Sequence, residues 1–300
     1  MDHYYFPPSA DVLHDYLFFR LEPEYEKCQW MIHRIPWRQV RHNLVDERTV
    51  AYIRASATLK CNARADILRL HQEFVEDGDL TRWLTRRFLE ETRQALALAH
   101  WLREVGVPLR EPREAALPLP VQVRIPEMGL PLRTPEAGVP LRGRSPGRAI
   151  HTLAAEIIAK MTSAAWHRAL TEPCEEPVLG NLLRLIVGDE ARHAATLFLY
   201  TRRYLEHAND RNGERRELLK SLHAWLLDSS RRLPFAEFLP TGGSDGAAHT
   251  AEMARAFDGE EVERRIIYQF GALADVEIGD RNGVGEAIRA MGEGRHHTPE

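Results

Sequence analysis

The chain has 300 residues, of which 44% are hydrophobic and 28% charged, as is usual for a soluble protein with one sizeable core or two small ones. Its formal net charge of −4 provides no attraction for nucleic acid, so we expect no such partner. Cys28, Cys61 and Cys174 are widely spaced, which predicts free thiols in a reducing, cytoplasmic compartment. The sequence has neither a signal-peptide pattern nor an apolar run long enough for a membrane span.

An aromatic-rich arm occupies residues 1–45. Pro23 and Pro36 interrupt it, which predicts short helices over residues 10–21 and 24–33. Aromatic side chains at this density either pack against a larger body or line the mouth of a substrate pocket, and both interpretations stay open.

A first helical hairpin is predicted over residues 46–104. Apolar periodicity indicates one helix over 45–77, with Asp46 as its N-cap, and a second over 80–104. Only the turn at 77–79 separates the two helices, so we expect them to be antiparallel neighbours.

Residues 105–148 differ from the rest, because they contain nine of the 18 prolines in the chain. A phrase of the form Gly-x-Pro-Leu-Arg recurs at 106–110, 129–133 and 138–142. Proline at this density opposes helix and favours extended conformation. The segment is therefore predicted to be a crossover strap, either a disordered linker or a chain that lies along the protein surface.

A second helical hairpin is predicted over residues 149–208, from helices at 148–170 and 178–207. No window has the two-residue period of a strand. Two hairpins joined by one long crossover form the connectivity of a ferritin-like four-helix bundle, so we predict an all-α fold and a single domain over 1–300. The C-terminal segment, 209–300, is predicted to add three helices, at 213–230, 249–278 and 284–291.

Glu190 and His193 are the candidate site residues of the fourth predicted helix. They lie three residues apart, so both fall on one helix face and can reach one metal ion. A buried carboxylate needs a metal or a partner charge, and the alternative is that Arg192 or water satisfies the pair. The apolar residues that place this face toward the core are Leu183, Ile186, Val187, Ala194 and Leu197.

A similar phrase occurs on the second predicted helix. Residues 90–94 read Glu-Glu-Thr-Arg-Gln, and residues 189–193 read Asp-Glu-Ala-Arg-His. In the second hairpin, counting back from the connecting loop places Glu156 opposite Glu190. Three carboxylates and one imidazole then meet at one level of the bundle. The predicted metal ligands are Glu91, Glu156, Glu190 and His193.

These phrases resemble the E-E-x-R-H and D-E-x-R-H ligand helices of the ferritin-like di-iron carboxylate superfamily, most closely the acyl-carrier-protein desaturases and related oxygenases. The resemblance covers residues 45–208. It implies one or two iron ions, or manganese, that activate O2, together with a small-molecule or carrier-protein-bound substrate, an external electron donor and a homodimer. It also implies that Asp189 and Arg192 support the ligands, with Asp189 orienting an imidazole, although each could instead form a salt bridge.

Two departures from the family pattern put one metal position in question. Gln94 stands where the first imidazole is expected, and an amide is a poor iron ligand. On the first helix either Lys60 or Asp66 reaches the ligand level. Lys60 would place an ammonium group near one iron position and permit at most one metal, whereas Asp66 would complete a two-metal site. The histidines of the same helices that could replace the missing ligand are His71, His100, His151 and His167.

Two functions are consistent with this sequence. One is an iron-dependent, O2-activating oxidoreductase of the desaturase, hydroxylase or N-oxygenase type, acting on an apolar or carrier-bound substrate through an asymmetric site. The other is a ferritin-like protein that has lost metal chemistry and serves as a binding or scaffold subunit. Iron storage is disfavoured, because storage bundles are shorter and have no aromatic arm or proline-rich strap. The number of metal ions per chain distinguishes the first two.

Overall fold

The computed structural model describes residues 29–74, 77–107, 148–227, 257 and 259–292. Within these ranges the regular structure is helical, with no strand, so the predicted all-α class is confirmed. None of the described helices is both long and apolar enough to cross a lipid bilayer. The α-helices of these ranges are α1 (Glu47–Glu73), α2 (Gly78–Glu104), α3 (Arg148–Thr171), α4 (Pro177–His207), α5 (Arg211–Leu227), α6 (Gly259–Ala274) and α7 (Arg281–Gly292).

Two aspartates define the first hairpin. The side chain of Asp46 accepts the backbone N–H of Thr49 at 2.7 Å and caps α1, as predicted. Asp77 caps α2 by accepting the backbone N–H of Leu80 at 2.8 Å, and its other oxygen accepts the Tyr200 hydroxyl from α4 at 2.6 Å. The turn between α1 and α2 is thereby tied to the second hairpin.

The second hairpin is held at its turn by a buried glutamate. Glu176 precedes the N1 proline of α4, and its carboxylate accepts the backbone N–H groups of Val178 and Leu179 at 3.2 and 2.7 Å. It also accepts the Trp101 indole N–H from α2 at 3.1 Å. One carboxylate therefore caps a helix and joins the two hairpins.

Two apolar clusters fill the bundle at different levels. The first joins the end of α1 and the start of α2 to the C-terminal helices, and its members include Ile67, Leu84, Ile157 and Phe270. The second joins the start of α1 and the end of α2 to the N-terminal segment, and its members include Trp30, Ile53, Leu98 and Ile186. On all four bundle helices, charged residues lie between the two clusters. The candidate site is therefore a polar layer sealed by apolar cores above and below.

Two of the predicted helices need correction, and parts of two further segments lie outside the described residues. The helix predicted over 24–33 is absent from its described part, where only the short 3-10 turn Ile32–Arg34 occurs. The helix predicted to reach residue 278 ends at Ala274, because Asp275 adopts a left-handed backbone with φ 59°. The arm over 1–28 and the strap over 108–147 lie outside the described residues.

Candidate metal centre

Helix α4 carries the acidic and imidazole side chains at the centre of the candidate site. Asp189, Glu190 and His193 are all fully buried, at 0% exposure. Ile186 and Leu197, one turn before and after them, are buried as well. The apolar periodicity of this helix therefore does turn the Glu-x-x-His pair into the core, as the sequence predicts.

Glu91, Glu190 and His193 converge from α2 and α4. Their potential ligand atoms all lie within 4.8 Å of one another, close enough to hold a metal ion. The Nδ1 atom of His193 lies 3.6 Å from Glu91 and 3.7 Å from Glu190, and no side chain or backbone group of the described residues forms a hydrogen bond with it. The Nε2 atom of the same ring lies 2.6 Å from Glu90. An imidazole held by an outer carboxylate, with its other nitrogen facing acidic oxygens, is typical of metal-binding histidines.

Lys60, on α1, reaches this cluster. It is fully buried, and its ammonium nitrogen lies 2.5 Å from Glu190 Oε1 and 3.3 Å from Glu91 Oε2. Asp66 is half-buried, six residues further along α1, and does not belong to the acid and imidazole cluster found among the described residues. Of the two alternatives for the first helix, the structure places Lys60 at the ligand level.

A second lysine, which the sequence analysis did not single out, enters from α3. The buried ammonium group of Lys160 contacts Glu91 Oε1 and lies 3.3 Å from Glu190 Oε2. The signal was present in the sequence: Lys160 lies one helical turn after Glu156, and the whole chain has only four lysines among its 40 basic residues. Two of these four lysines meet in the bundle core.

The predicted ligand Glu156 is engaged elsewhere. Its Oε2 atom accepts a hydrogen bond from the Arg87 guanidinium at 2.6 Å, and it does not join the cluster of Glu91, Glu190 and His193. Arg87 is 1% exposed and lies one turn before Glu91 on α2, so its buried charge requires a partner. Glu156 is therefore held as the counter-ion of Arg87.

Gln94 and Asp189 form an outer group beside the cluster. The Gln94 amide donates to Asp189 Oδ2 at 2.9 Å, and the Trp30 indole N–H donates to the same oxygen at 3.0 Å. Arg192 pairs with the other oxygen, so its predicted salt-bridge alternative is present. Asp189 does not hold the His193 ring, which Glu90 orients, and it accepts from Gln94, the residue at the position where the family pattern has an imidazole. Asp189 instead ties the N-terminal segment to α4.

The alternative histidines do not supply a ligand. His71, His100 and His151 are partly exposed and lie beside Thr85, Glu104 and Glu217, respectively. His167 is fully buried and donates from Nδ1 to the Ser163 carbonyl at 2.7 Å. Burial, and after it the charge of Lys60, lower the pKa of His167 to about 3. The ring of His167 is therefore neutral at physiological pH.

Opposite charges stabilise one another within one connected group. Burial alone would lower the pKa of Lys60, but Glu190 and Glu91 reverse this and raise it. Burial would raise the pKa of Glu190, yet Lys160 and Lys60 hold it well below its ordinary value. Burial likewise opposes the charged form of His193, but Glu190, Glu90 and Glu91 raise its pKa well above 6.5. The carboxylates around this centre are Glu90, Glu91, Glu156 and Glu190, the buried cations are Lys60, Arg87, Lys160 and His193, and the less buried Arg86 and Arg93 lie 3.8 and 3.9 Å from Glu90.

Comparison with known proteins identifies the fold. No family model matches the sequence, and no curated protein matches it. Among solved structures, the X-ray structure of DesA2 from Mycobacterium tuberculosis, a candidate acyl-ACP desaturase, matches with a TM-score of 0.52 and 16% identity. The match covers 94% of this chain and 99% of that chain. The chain has the ferritin-like desaturase fold. At 16% identity the likeness establishes the fold alone, so the chemistry must be argued from the site.

The desaturase fold implies a di-iron cofactor, but the described residues do not fit one. Each of the four carboxylate oxygens of Glu91 and Glu190 faces a lysine ammonium group. Glu156 is held by Arg87, and Gln94 provides an amide in place of an imidazole. Glu91, Glu190 and His193 have the spacing to hold one metal ion, and two ammonium groups compete with that ion for the same oxygens.

Proposed function

We propose that this chain is a binding or scaffold subunit built on the desaturase fold, in which buried ion pairs replace the di-iron centre. One observation carries the proposal: the ammonium groups of Lys60 and Lys160 both contact Glu91 and Glu190. These are two of the four predicted metal ligands. A side-chain cation takes the position that a metal would need.

The energetics of burial support this proposal. Two adjacent carboxylates in a low-dielectric core repel each other, and that repulsion has to be neutralised. The two ammonium groups neutralise it, so the site requires no metal for charge balance. A metal ion that entered would leave at least one lysine buried without a counter-ion, at a cost of several kcal/mol. Metal binding to the wild-type protein is therefore opposed by its own lysines.

The fold suggests which class of ligand this chain binds. DesA2, which has the same fold, is described as a candidate acyl-ACP desaturase. We propose that this chain likewise engages an apolar acyl group carried on a carrier protein. It would bind that group without activating O2, and it would therefore need no electron donor.

Metal analysis of the intact protein tests this proposal. After expression with added iron, we expect well below one metal ion per chain, and we expect no double bond or hydroxyl group in an acyl chain on acyl carrier protein. The same acylated carrier protein should nevertheless bind to the chain in a direct titration. Two iron ions per chain would overturn the proposal, and so would formation of an oxidised acyl product.

A second candidate is an oxidoreductase with a single metal ion. The observation that favours it is the unpartnered Nδ1 of His193, which faces Glu91 and Glu190. In that case one metal ion per chain should be found. Glu190→Ala or His193→Ala should abolish its binding, while Gln94→Ala should have little effect, because the Gln94 amide is directed to Asp189.

A further inference from the structure

We infer that the Lys60 and Lys160 ammonium groups stand in for the two ions of a dinuclear metal centre, and that removal of either one opens a site for a single divalent cation. This inference rests on the proposed metal-free state of the wild-type protein. It concerns how the site is built, and its test is a binding measurement that does not depend on activity.

The contacts form a closed ring of alternating charge. Lys60 contacts Glu91 and Glu190, and Lys160 contacts the same two carboxylates through their other oxygens. Each carboxylate therefore bridges two cations, and each cation is shared by two carboxylates. Bridging carboxylates between two cations are the arrangement expected of a dinuclear metal site, here made entirely from side chains.

Lysine suits these two positions better than arginine does. Of the 40 Lys and Arg residues in the chain, only four are lysine, and two of the four lie in this site. A lysine ammonium is a compact point charge, whereas an arginine guanidinium is a wide planar fork that pairs with carboxylates from the side. The neighbouring cation Arg87 is an arginine; it donates to Glu156 at 2.6 Å and its Nε lies 3.9 Å from Glu91 Oε1. At Lys60 and Lys160, one small cation lies between two carboxylates.

An oriented imidazole already faces the carboxylate pair. His193 Nδ1 is fully buried, has no hydrogen-bond partner among the described residues and lies 3.6 Å from Glu91 Oε1 and 3.7 Å from Glu190 Oε1. Glu90 fixes the opposite nitrogen at 2.6 Å and so sets the orientation of the ring. An acidic pair alone would not define a metal site, but an oriented imidazole that points into the pair does.

Loss of one ammonium group leaves negative charge that a metal ion can neutralise. With Lys60 replaced by a neutral residue, Glu91 and Glu190 keep only one of their two ammonium groups, and a divalent ion that displaces the Nδ1 proton of His193 would restore the lost charge. Glu91, Glu190 and His193 then offer two oxygen ligands and one nitrogen ligand, a set that suits Mn²⁺, Fe²⁺ or Zn²⁺. The remaining Lys160 ammonium occupies the second position, so the site should take one ion and not two.

The test compares Lys60→Met and Lys160→Met with the matched control Lys220→Met. Lys220 lies on the exposed side of α5, and its ion-pair partner in the described part of the chain is Glu217. Titration with Mn²⁺ and with Zn²⁺, followed by metal analysis, should give about one ion per chain for each core variant and none for the wild type or Lys220→Met. The midpoint of thermal unfolding should rise with added metal only in the core variants. Adding Glu190→Gln to Lys60→Met should abolish both effects.

Each result decides the inference. If both core variants fold and neither binds a divalent cation, the inference is wrong, while the metal-free proposal for the wild type still stands. A core variant that folds only when Mn²⁺ or Zn²⁺ is present supports it. If both core variants stay unfolded even with metal, the inference is overturned, because metal must be able to replace the ammonium group. Metal in the wild type would instead overturn the proposed function.

Discussion

Lys60 is fully buried, and its ammonium group lies between the carboxylates of Glu91 and Glu190. The guanidinium group of an arginine at this position would be longer and planar, and it could not extend into solvent. We therefore expect Lys60→Arg to lower the free energy of unfolding by about 2–4 kcal/mol through overpacking and misaligned ion pairs. The exposed control Lys220→Arg should change it by less than about 0.5 kcal/mol. Urea unfolding of both variants measures the difference, and equal effects would show that a compact cation is not required.

The pKa shifts of the site predict how stability depends on pH. The pKa of Glu190 is lowered in the folded protein, so its contribution is complete above its ordinary value of 4.5 and is lost as the pH falls. The pKa of His193 is raised, so its contribution is complete below 6.5 and is lost as the pH rises through the raised value. The free energy of unfolding should therefore be greatest between about pH 5 and 6.5.

Urea unfolding across the pH range checks this shape. Replacement of His193 by Gln removes the group that titrates on the alkaline side, so the variant should lose less stability than the wild type as the pH rises above 6.5. Parallel curves for the two proteins above pH 6.5 would contradict the assignment of a protonated His193.

Some helix boundaries follow from local signals, and the sequence predicts these closely. The cap at Asp46 is read from neighbouring residues and marks a real helix start, and the helix predicted from residue 178 begins one residue earlier, at Pro177. The long-range contacts of the same elements are not local. Nothing near Asp77 in the sequence reveals that Tyr200, 123 residues away, donates to its carboxylate.

The two contacts of Asp77 predict how much this residue contributes to the stability of the joined hairpins. Asp77→Ala should cost about 2 kcal/mol, because it removes a helix cap worth about 1 kcal/mol and leaves the Tyr200 hydroxyl without its acceptor. Tyr200→Phe removes the second contact alone and should cost about 1 kcal/mol. A double-mutant cycle by urea unfolding should show a coupling energy of roughly 0.5 kcal/mol or more. Strictly additive effects would mean that the contact does not stabilise the bundle.

At the scale of the whole molecule, the sequence predicts the bundle and three members of its polar layer, and it offers Lys60 as one of two alternatives on α1, but it does not predict the second lysine, Lys160. Glu91, Glu190 and His193 are found because a phrase repeats on two helices. Lys160 and Arg87 are missed because a charged residue on a helix is ordinarily solvent-exposed. Whether a given charged side chain is buried depends on the oppositely charged side chains that other helices of the bundle place beside it. The ion pair of Glu156 is not predicted for the same reason, since its partner, Arg87, comes from another helix.

The ring formed by Lys60, Lys160, Glu91 and Glu190 has either a structural role or a chemical one, and stability measurements distinguish the two. Removing one member of the ring leaves an uncompensated buried charge, so Lys60→Met or Glu190→Gln alone should each cost about 3–5 kcal/mol. Neutralising the whole ring removes both charges of every pair. The combination of Lys60→Met, Lys160→Met, Glu91→Gln and Glu190→Gln should therefore cost far less than the sum of its single changes.

The same combined variant also reports on function. If the chain is a binding or scaffold subunit, its outer surfaces are unchanged, and binding of an acylated carrier protein should stay within about twofold of the wild type. The measurements are urea unfolding of the single and combined variants and a titration with the carrier protein. An additive loss of stability would show that the ring is not an isolated, self-neutralising unit. Loss of carrier binding in a folded variant would show instead that the buried charges take part in recognition.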